Sequence, residues 1–325
     1  MKKFLLIVLL ACSLTAKGQD SIFSDSTKNE GQTVFLPLIY ADRKLTYLTF
    51  AQGIGNLPPL ITEARFSGSY FLKKSAVNWA LELNLNLTLR IHDKYSFPIY
   101  APSYNPVVTY YRELKEWDNS FFSRVLFDHA YWEVSAGHHS NGQHEPFYVQ
   151  DSLGNDTNEI NIEDGSFSVE YLEAGISTFK NRKRNDIDYI SNLKFGFRIY
   201  PTKWYLPEIE DLYGSYRTFA TYNIYRIPIG QSQTSFFARS RLKLHSGWIF
   251  GDMNGNSPAD VSKRLITEFT YYYYPEWLAE ISFFAQYYHG QDYYNINFTR
   301  TVDVFRLGIA TNPLNFKDFK KYLKD

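Results

Sequence analysis

The chain has one cysteine, Cys12, and two methionines in 325 residues. Cys12 lies within the apolar N-terminal stretch, so an exported mature form has no thiol. No disulfide can then hold the fold. After that stretch no run is long and apolar enough for a transmembrane helix, which excludes a helical membrane protein. The mean hydropathy of −0.35 agrees with this. Excess charge is also missing: 34 Lys and Arg balance 34 Asp and Glu. Loss of Lys2, Lys3 and Lys17 with a leader would leave 31 basic residues. A near-neutral chain gives no reason to expect a nucleic-acid partner.

What is present points elsewhere. Met1-Lys2-Lys3 is a charged start, residues 4–10 are apolar, and Ala16-Lys17-Gly18 offers small residues at a cleavage site. This pattern predicts an export signal over residues 1–18 and a mature chain from Gln19. Leu9-Leu10-Ala11-Cys12 leaves a lipoprotein reading open, although the Ala16–Gly18 site is better placed. Aromatic residues make up 18% of the chain, with 27 Tyr and 26 Phe. Export, many aromatics and no apolar helix together predict an all-β transmembrane antiparallel β-barrel in the bacterial outer membrane. A secreted β-sandwich is the alternative that composition leaves.

The pattern along the chain favours the barrel. Residues 19–62 read as a leader and extension with at most short strands. In the clearest strand Trp79, Leu81, Leu83, Leu85, Leu87, Leu89 and Ile91 share one parity, and Glu82, Asn84, Asn86, Thr88 and Arg90 share the other. In a strand these sets lie on opposite faces. The Leu row suits lipid and the polar row a lumen. Further strands are predicted over 106–114, 125–139, 167–178, 188–200, 213–225, 236–250, 265–274, 278–288, 293–299 and 302–311. With a strand around Phe66 the count is about twelve. The barrel is expected over 63–316, with a charged tail over 317–325.

The candidate chemistry lies in His138-His139-Ser140-Asn141-Gly142-Gln143-His144-Glu145-Pro146. Ala130, Trp132, Val134 and Ala136 form the apolar parity of the strand before it. His138 and Ser140 continue that parity, so both are expected on the lipid face, with His139 in the lumen. A hydroxyl becomes an effective nucleophile when a neighbouring base takes its proton, and this spacing supplies one. Asn141-Gly142 allows a turn whose N–H groups could bind an oxyanion. A base and a nucleophile facing lipid near a strand end imply a substrate within the bilayer, such as a phospholipid ester. His-x-Ser alone is more often a pair of polar residues at a strand end.

The nonapeptide resembles the outer membrane phospholipase A family pattern His-x-Ser-Asn-Gly-x-x-Asp-Pro. Ser96-Phe97-Pro98 followed by Tyr104-Asn105-Pro106, and Glu63-Ala64-Arg65-Phe66-Ser67, are similar to two further segments of that family. The resemblance covers roughly residues 63–178. It implies a twelve-stranded barrel that hydrolyses phospholipid acyl esters with calcium, at the A1 and A2 positions, as a homodimer. Ser140 would be the nucleophile, His138 the general base and Gly142 an oxyanion donor. Ser96, the Gln143 carbonyl and Glu145 would bind calcium, Glu145 standing where the family has Asp. The family orients its His with an Asn on the next strand. Here Glu170, two residues before the apolar Leu172, is the first candidate and Ser168 the alternative, with Asn155, Asn158 and Asn161 in the loop also open. Two other readings stay open: a non-catalytic pore or binding barrel, and an acyl hydrolase acting on lipid A.

Overall fold

Strand alternation closes on itself. In the computed structural model, residues 35–74, 78–96, 99–114, 127–278 and 280–311 are described. The predicted export signal, most of the leader and the C-terminal tail lie outside them, as do Phe97 and Pro98. Sixteen strands follow in chain order: β1 (Tyr47–Thr49), β2 (Ile54–Gly55), β3 (Leu60–Lys74), β4 (Trp79–His92), β5 (Ser103–Tyr104), β6 (Val107–Glu113), β7 (His129–Ser140), β8 (Tyr148–Gln150), β9 (Asp156–Ile160), β10 (Ser168–Arg184), β11 (Ile187–Ile199), β12 (Tyr216–Tyr225), β13 (Ser240–Phe250), β14 (Leu265–Tyr273), β15 (Ile281–Gln291) and β16 (Thr301–Thr311). Each wall strand pairs antiparallel with its neighbour, and β1 bonds both β3 and β16 to close the ring. With β5 and β6 as two halves of one strand, the wall is a closed twelve-stranded antiparallel β-barrel. The strands β8 and β9 form a separate hairpin in the loop after β7.

The count of twelve holds, but its membership differs from the sequence reading. Residues 293–299 are not a strand: Asn295–Thr299 form a 3-10 helix. The alternation of Ile296 and Phe298 imitates a strand, yet Asn295 has a positive φ of 34°, and both apolar side chains enter a buried cluster with Phe147, Phe167 and Tyr213. The twelfth strand is β1, which precedes the expected start of the barrel at Glu63.

Parity sorts the side chains as read from the sequence. On β4 the Glu82, Asn86, Thr88 and Arg90 row is buried, and the Leu row faces outward. Outward aromatics gather near both rims. Trp79, Tyr110 and Trp132 form one row, with centroids 6.1 and 5.4 Å apart, and Phe197 stacks on Tyr216 at the other rim. Among the described residues no helix is long and apolar enough to cross a membrane.

The leader contributes a feature that the sequence reading does not contain. Helix α1 (Phe35–Asp42) sits inside the barrel. Leu38, Ile39 and Ala41 are fully buried against Tyr111, Tyr131, Phe179 and Tyr225. The segment Phe35-Leu36-Pro37-Leu38-Ile39-Tyr40-Ala41 is apolar all round, as a helix surrounded by protein must be. Pro37 falls in the first turn, where its missing N–H costs nothing. Arg43 anchors the end of the helix: its guanidinium lies 3.7 Å from the Tyr40 ring centre and its Nε donates to Glu82 at 2.6 Å. This plug fills the rim where β10 and β11 join through the positive-φ pair Asn185-Asp186, a tight hairpin turn.

Inside the wall, the buried charges around Glu63 are paired. Glu63 accepts from Arg90 Nε and Arg306 Nη1, both at 2.7 Å, and from the Tyr47 and Tyr293 hydroxyls. Arg90 also forks onto Asp292 at 2.7 and 2.8 Å. Removing one partner of such a buried group strands the others without compensation. Glu63→Ala is therefore expected to lower stability by about 3–5 kcal/mol. Thermal unfolding of the detergent-folded protein, followed by circular dichroism, checks this.

Candidate active site

The ladder between β7 and β10 brings the sequence candidates together. Its register sets Ser140 opposite Ser168, His138 opposite Glu170, and Ala136 opposite Leu172. Val134 and Ala136 are exposed, while Glu133, Ser135 and Gly137 are buried, so the outward parity contains His138 and Ser140. On β10 the same face carries Ser168, Glu170, Leu172 and Ala174. Nδ1 of His138 lies 3.0 Å from Oε1 of Glu170, and both side chains are partly shielded, at 18% and 37% exposed. An ionised carboxylate only accepts, so the imidazole proton sits on Nδ1 and the lone pair on Nε2. An imidazole in that tautomer can take a proton from a neighbouring hydroxyl. Ser140 is two residues farther along the same face.

The turn after β7 is held by a residue that sequence reasoning treated only as part of the turn. Asn141 is buried. Its Oδ1 accepts from Phe167 N at 3.0 Å and Gln143 N at 3.2 Å, and its Nδ2 donates to Gly165 O at 2.7 Å. One amide thus ties the end of β7 to the start of β10. Gly142 follows at φ +70°, a conformation that L side chains resist. The signal for Asn141 was its place in the motif, but nothing local tells a buried clamp from a turn residue.

Below the pair the lumen side is equally constrained. Tyr171 lies across Gly137, where a Cβ would meet the ring at 2.2 Å. The Tyr171 hydroxyl donates to Asn105 Oδ1 at 2.9 Å, and Arg198 packs over its ring at 4.2 Å. Asn105 thus ties β10 to the junction of β5 and β6, across β7. His139 faces the lumen as expected, with Nε2 2.7 Å from Ser103 Oγ.

The remaining candidates lie at the same rim. Ser96 is exposed in the loop after β4. Glu145 is half-exposed, its Oε1 3.3 Å from His144 Nε2, and its carbonyl accepts from Ser166 N. Asn155 is bound to Asp151 and Asn161 to Asp164, within the hairpin loop. Among the described residues no three His, Cys, Asp or Glu side chains gather as a metal site. Ser96, Gln143 and Glu145 do offer the all-oxygen donors that calcium takes, but with a single carboxylate.

No protein-family model matches the chain, and no curated protein matches it. Solved structures do. Outer membrane phospholipase A from Escherichia coli matches with a TM-score of 0.52 at 13% identity, covering 84% of this chain and 98% of that one. The fold is that of outer membrane phospholipase A. An active-site mutant of the Escherichia coli phospholipase, with alanine in place of an asparagine, matches at 0.52 and 13% identity, over 88% and 99% of the two chains. A Salmonella typhi outer membrane phospholipase, a dimer with bound calcium, matches at 0.51 and 13%, again over 88% and 99%. On this phospholipase A fold the pair His138 and Glu170 occupies facing positions of adjacent strands, close to one rim.

Because Tyr171 leaves no room at residue 137, Gly137→Ala is expected to cost about 1–3 kcal/mol. In a Tyr171→Ala background the same change should cost almost nothing. A double-mutant cycle on unfolding free energies reads this coupling directly.

Proposed function

We propose that this chain is an outer-membrane phospholipase that hydrolyses acyl esters of phospholipids at the A1 and A2 positions. The observation that carries the reading is the 3.0 Å contact between His138 Nδ1 and Glu170 Oε1 on the outward face, beside Ser140. In the proposed reaction Ser140 Oγ attacks the ester carbonyl while His138 Nε2 takes its proton. Glu170 holds the ring and offsets the imidazolium charge. The Gly142 N–H receives the oxyanion, and His138 returns the proton to the leaving alcohol oxygen. Water then attacks the acyl-serine by the same route, releasing fatty acid. The outward position explains the substrate class, because an ester reaching this site lies in the membrane beside the wall.

Calcium belongs to the proposal. Ser96, the Gln143 carbonyl and Glu145 would hold it, and when bound it would polarise the oxygen on which charge develops. One carboxylate is few for a calcium ion, which favours a site shared between two protomers of a homodimer. The longer loops lie at the site rim, the arrangement of an extracellular rim. A pore reading is disfavoured by α1 and by the aromatic cluster at the other mouth, which together occupy the lumen. The export signal over residues 1–18 is part of the same proposal.

Fatty-acid release from phospholipid–detergent micelles tests the roles. Ser140→Ala is expected to lose at least about a thousand-fold in rate. Glu170→Ala should lose about a hundred-fold. Glu170→Gln, whose amide oxygen can still accept from Nδ1–H, should lose less than Glu170→Ala. A Ser168→Ala loss larger than that of Glu170→Ala would overturn the assignment. A chelator should abolish turnover, and crosslinking should capture a dimer during turnover; activity in the chelator's presence, or from a species that is monomeric throughout, removes the calcium and dimer assignments respectively.

A further inference from the structure

At the plug-side rim the outer wall carries a second cluster, at the other end of β7 from His138 and Ser140. The ladder sets Arg112 of β6 opposite Trp79 of β4 on one side and Trp132 of β7 on the other. All three have the outward parity, so one guanidinium stands between two indoles. Directly opposed residues on one face have Cβ atoms about 5 Å apart, which gathers the three around a single point. Tyr110, two residues deeper on β6, lies against both indoles, with ring centres 6.1 Å from Trp79 and 5.4 Å from Trp132. Lys73 of β3 joins them, its Nζ 5.6 Å from the centre of the Trp79 ring.

A bulge brings Lys73 there. Phe71 stands opposite Glu82 and Lys73 opposite Leu81, with Leu72 as the extra residue. In an unbroken register Lys73 would stand opposite Ala80, on the lumen face. The bulge turns it outward, a common use of this irregularity. Lys73 and Arg112 are both exposed, and among the described residues neither has a carboxylate partner. The outward rows of β3, β4, β6 and β7 contain no Asp or Glu. Deeper along the same face the row Leu83, Val108 and Ala136 is apolar. Two cations without counter-charge thus lie where the apolar band ends, framed by side chains that settle at a membrane interface. Reaching for water alone would need neither the bulge nor the flanking indoles.

We infer that Arg112 and Lys73 bind the phosphodiester of an anionic phospholipid whose acyl chains lie along β4, β6 and β7. The guanidinium fork matches two phosphate oxygens, and the ammonium adds a point charge beside them. A zwitterionic headgroup carries its own ammonium, which competes for the same oxygens. A headgroup of net negative charge leaves them free, so the site selects the anionic lipid. The inference rests on the reading of the chain as a membrane barrel, and not on the ester chemistry at the far rim.

The test titrates the full-length protein, folded in a neutral detergent, with phosphatidylglycerol or phosphatidylcholine of equal chain length. Both lipids carry ether-linked chains, which resist ester hydrolysis, so the outcome does not depend on whether the chain is a phospholipase. Binding is read from the saturable rise in thermal midpoint. Phosphatidylglycerol is expected to half-saturate at a concentration at least about tenfold below that of phosphatidylcholine. In the Lys73→Gln, Arg112→Gln double variant the two lipids should half-saturate alike. Inorganic phosphate alone should leave the midpoint unchanged; a rise equal to that with phosphatidylglycerol assigns the site to the free anion and overturns the lipid. Equal half-saturation by the two lipids in the wild type overturns the inference, whether or not the variant folds. An undiminished preference in the folded double variant overturns the assignment to Lys73 and Arg112. A chain that stays folded and soluble without detergent removes the membrane reading, and this inference with it.

Discussion

An open strand edge leaves a row of amide and carbonyl groups without partners, and in this wall Tyr47–Thr49 removes that edge by bonding both β3 and β16. Hydrocarbon offers such groups nothing, so a sheet in a membrane must close. Once the ladder is closed, its register leaves each side chain only two directions, lumen or outside. The Leu row of β4, the buried charges around Glu63 and the outward pair His138 and Ser140 are consequences of that one constraint. A slip of one residue between β7 and β10 would turn Glu170 into the lumen and set His138 opposite Val169 or Tyr171. The Tyr171–Gly137 fit and the Asn141 clamp oppose that slip from two sides.

The contact between Glu170 and His138 shows how local electrostatics act on an outer wall. The pair with His138 is partly shielded, neither immersed in water nor fully desolvated. A carboxylate there supports an imidazolium more strongly than an amide would, at the cost of holding a charge beside an apolar face. The exposure retained by Glu170 lowers that cost. On the inner face the balance differs. Buried guanidinium and carboxylate groups are matched one to one around Glu63 and Asp292, whereas Arg241 rests on the neutral Asn223 amide.

Much of the architecture was legible because a strand encodes its two faces in alternate letters. The Trp79–Ile91 row, the parity of His138 and Ser140, and the lumenal setting of His139 could all be read in this way. The contact of Glu170 with His138 was legible too, from the place of Glu170 two residues before Leu172 on the next strand, although Ser168 shared the same parity. Other features depend on partners remote in sequence. The segment Asn295–Thr299 alternates like a strand, but packing of Ile296 and Phe298 over the lumen decides its shape. Helix α1 has no helical period because the barrel surrounds it. The Asn141 clamp needs Gly165 and Phe167, across a loop whose length hides the contact from local inspection.

The seam between β1 and β16 joins the first wall strand to the last, and α1 lies immediately upstream of that seam. The order of assembly follows. The ring cannot be sealed until its final strand has been delivered, so a chain interrupted before residue 301 retains two open edges. The plug must already be inside when the seam seals, because a finished wall gives the Leu38–Ala41 turn only a mouth to enter by, against tightly packed tyrosines. Threading and sealing are therefore one event: the two ends of the wall stay apart until the segment between them is in place.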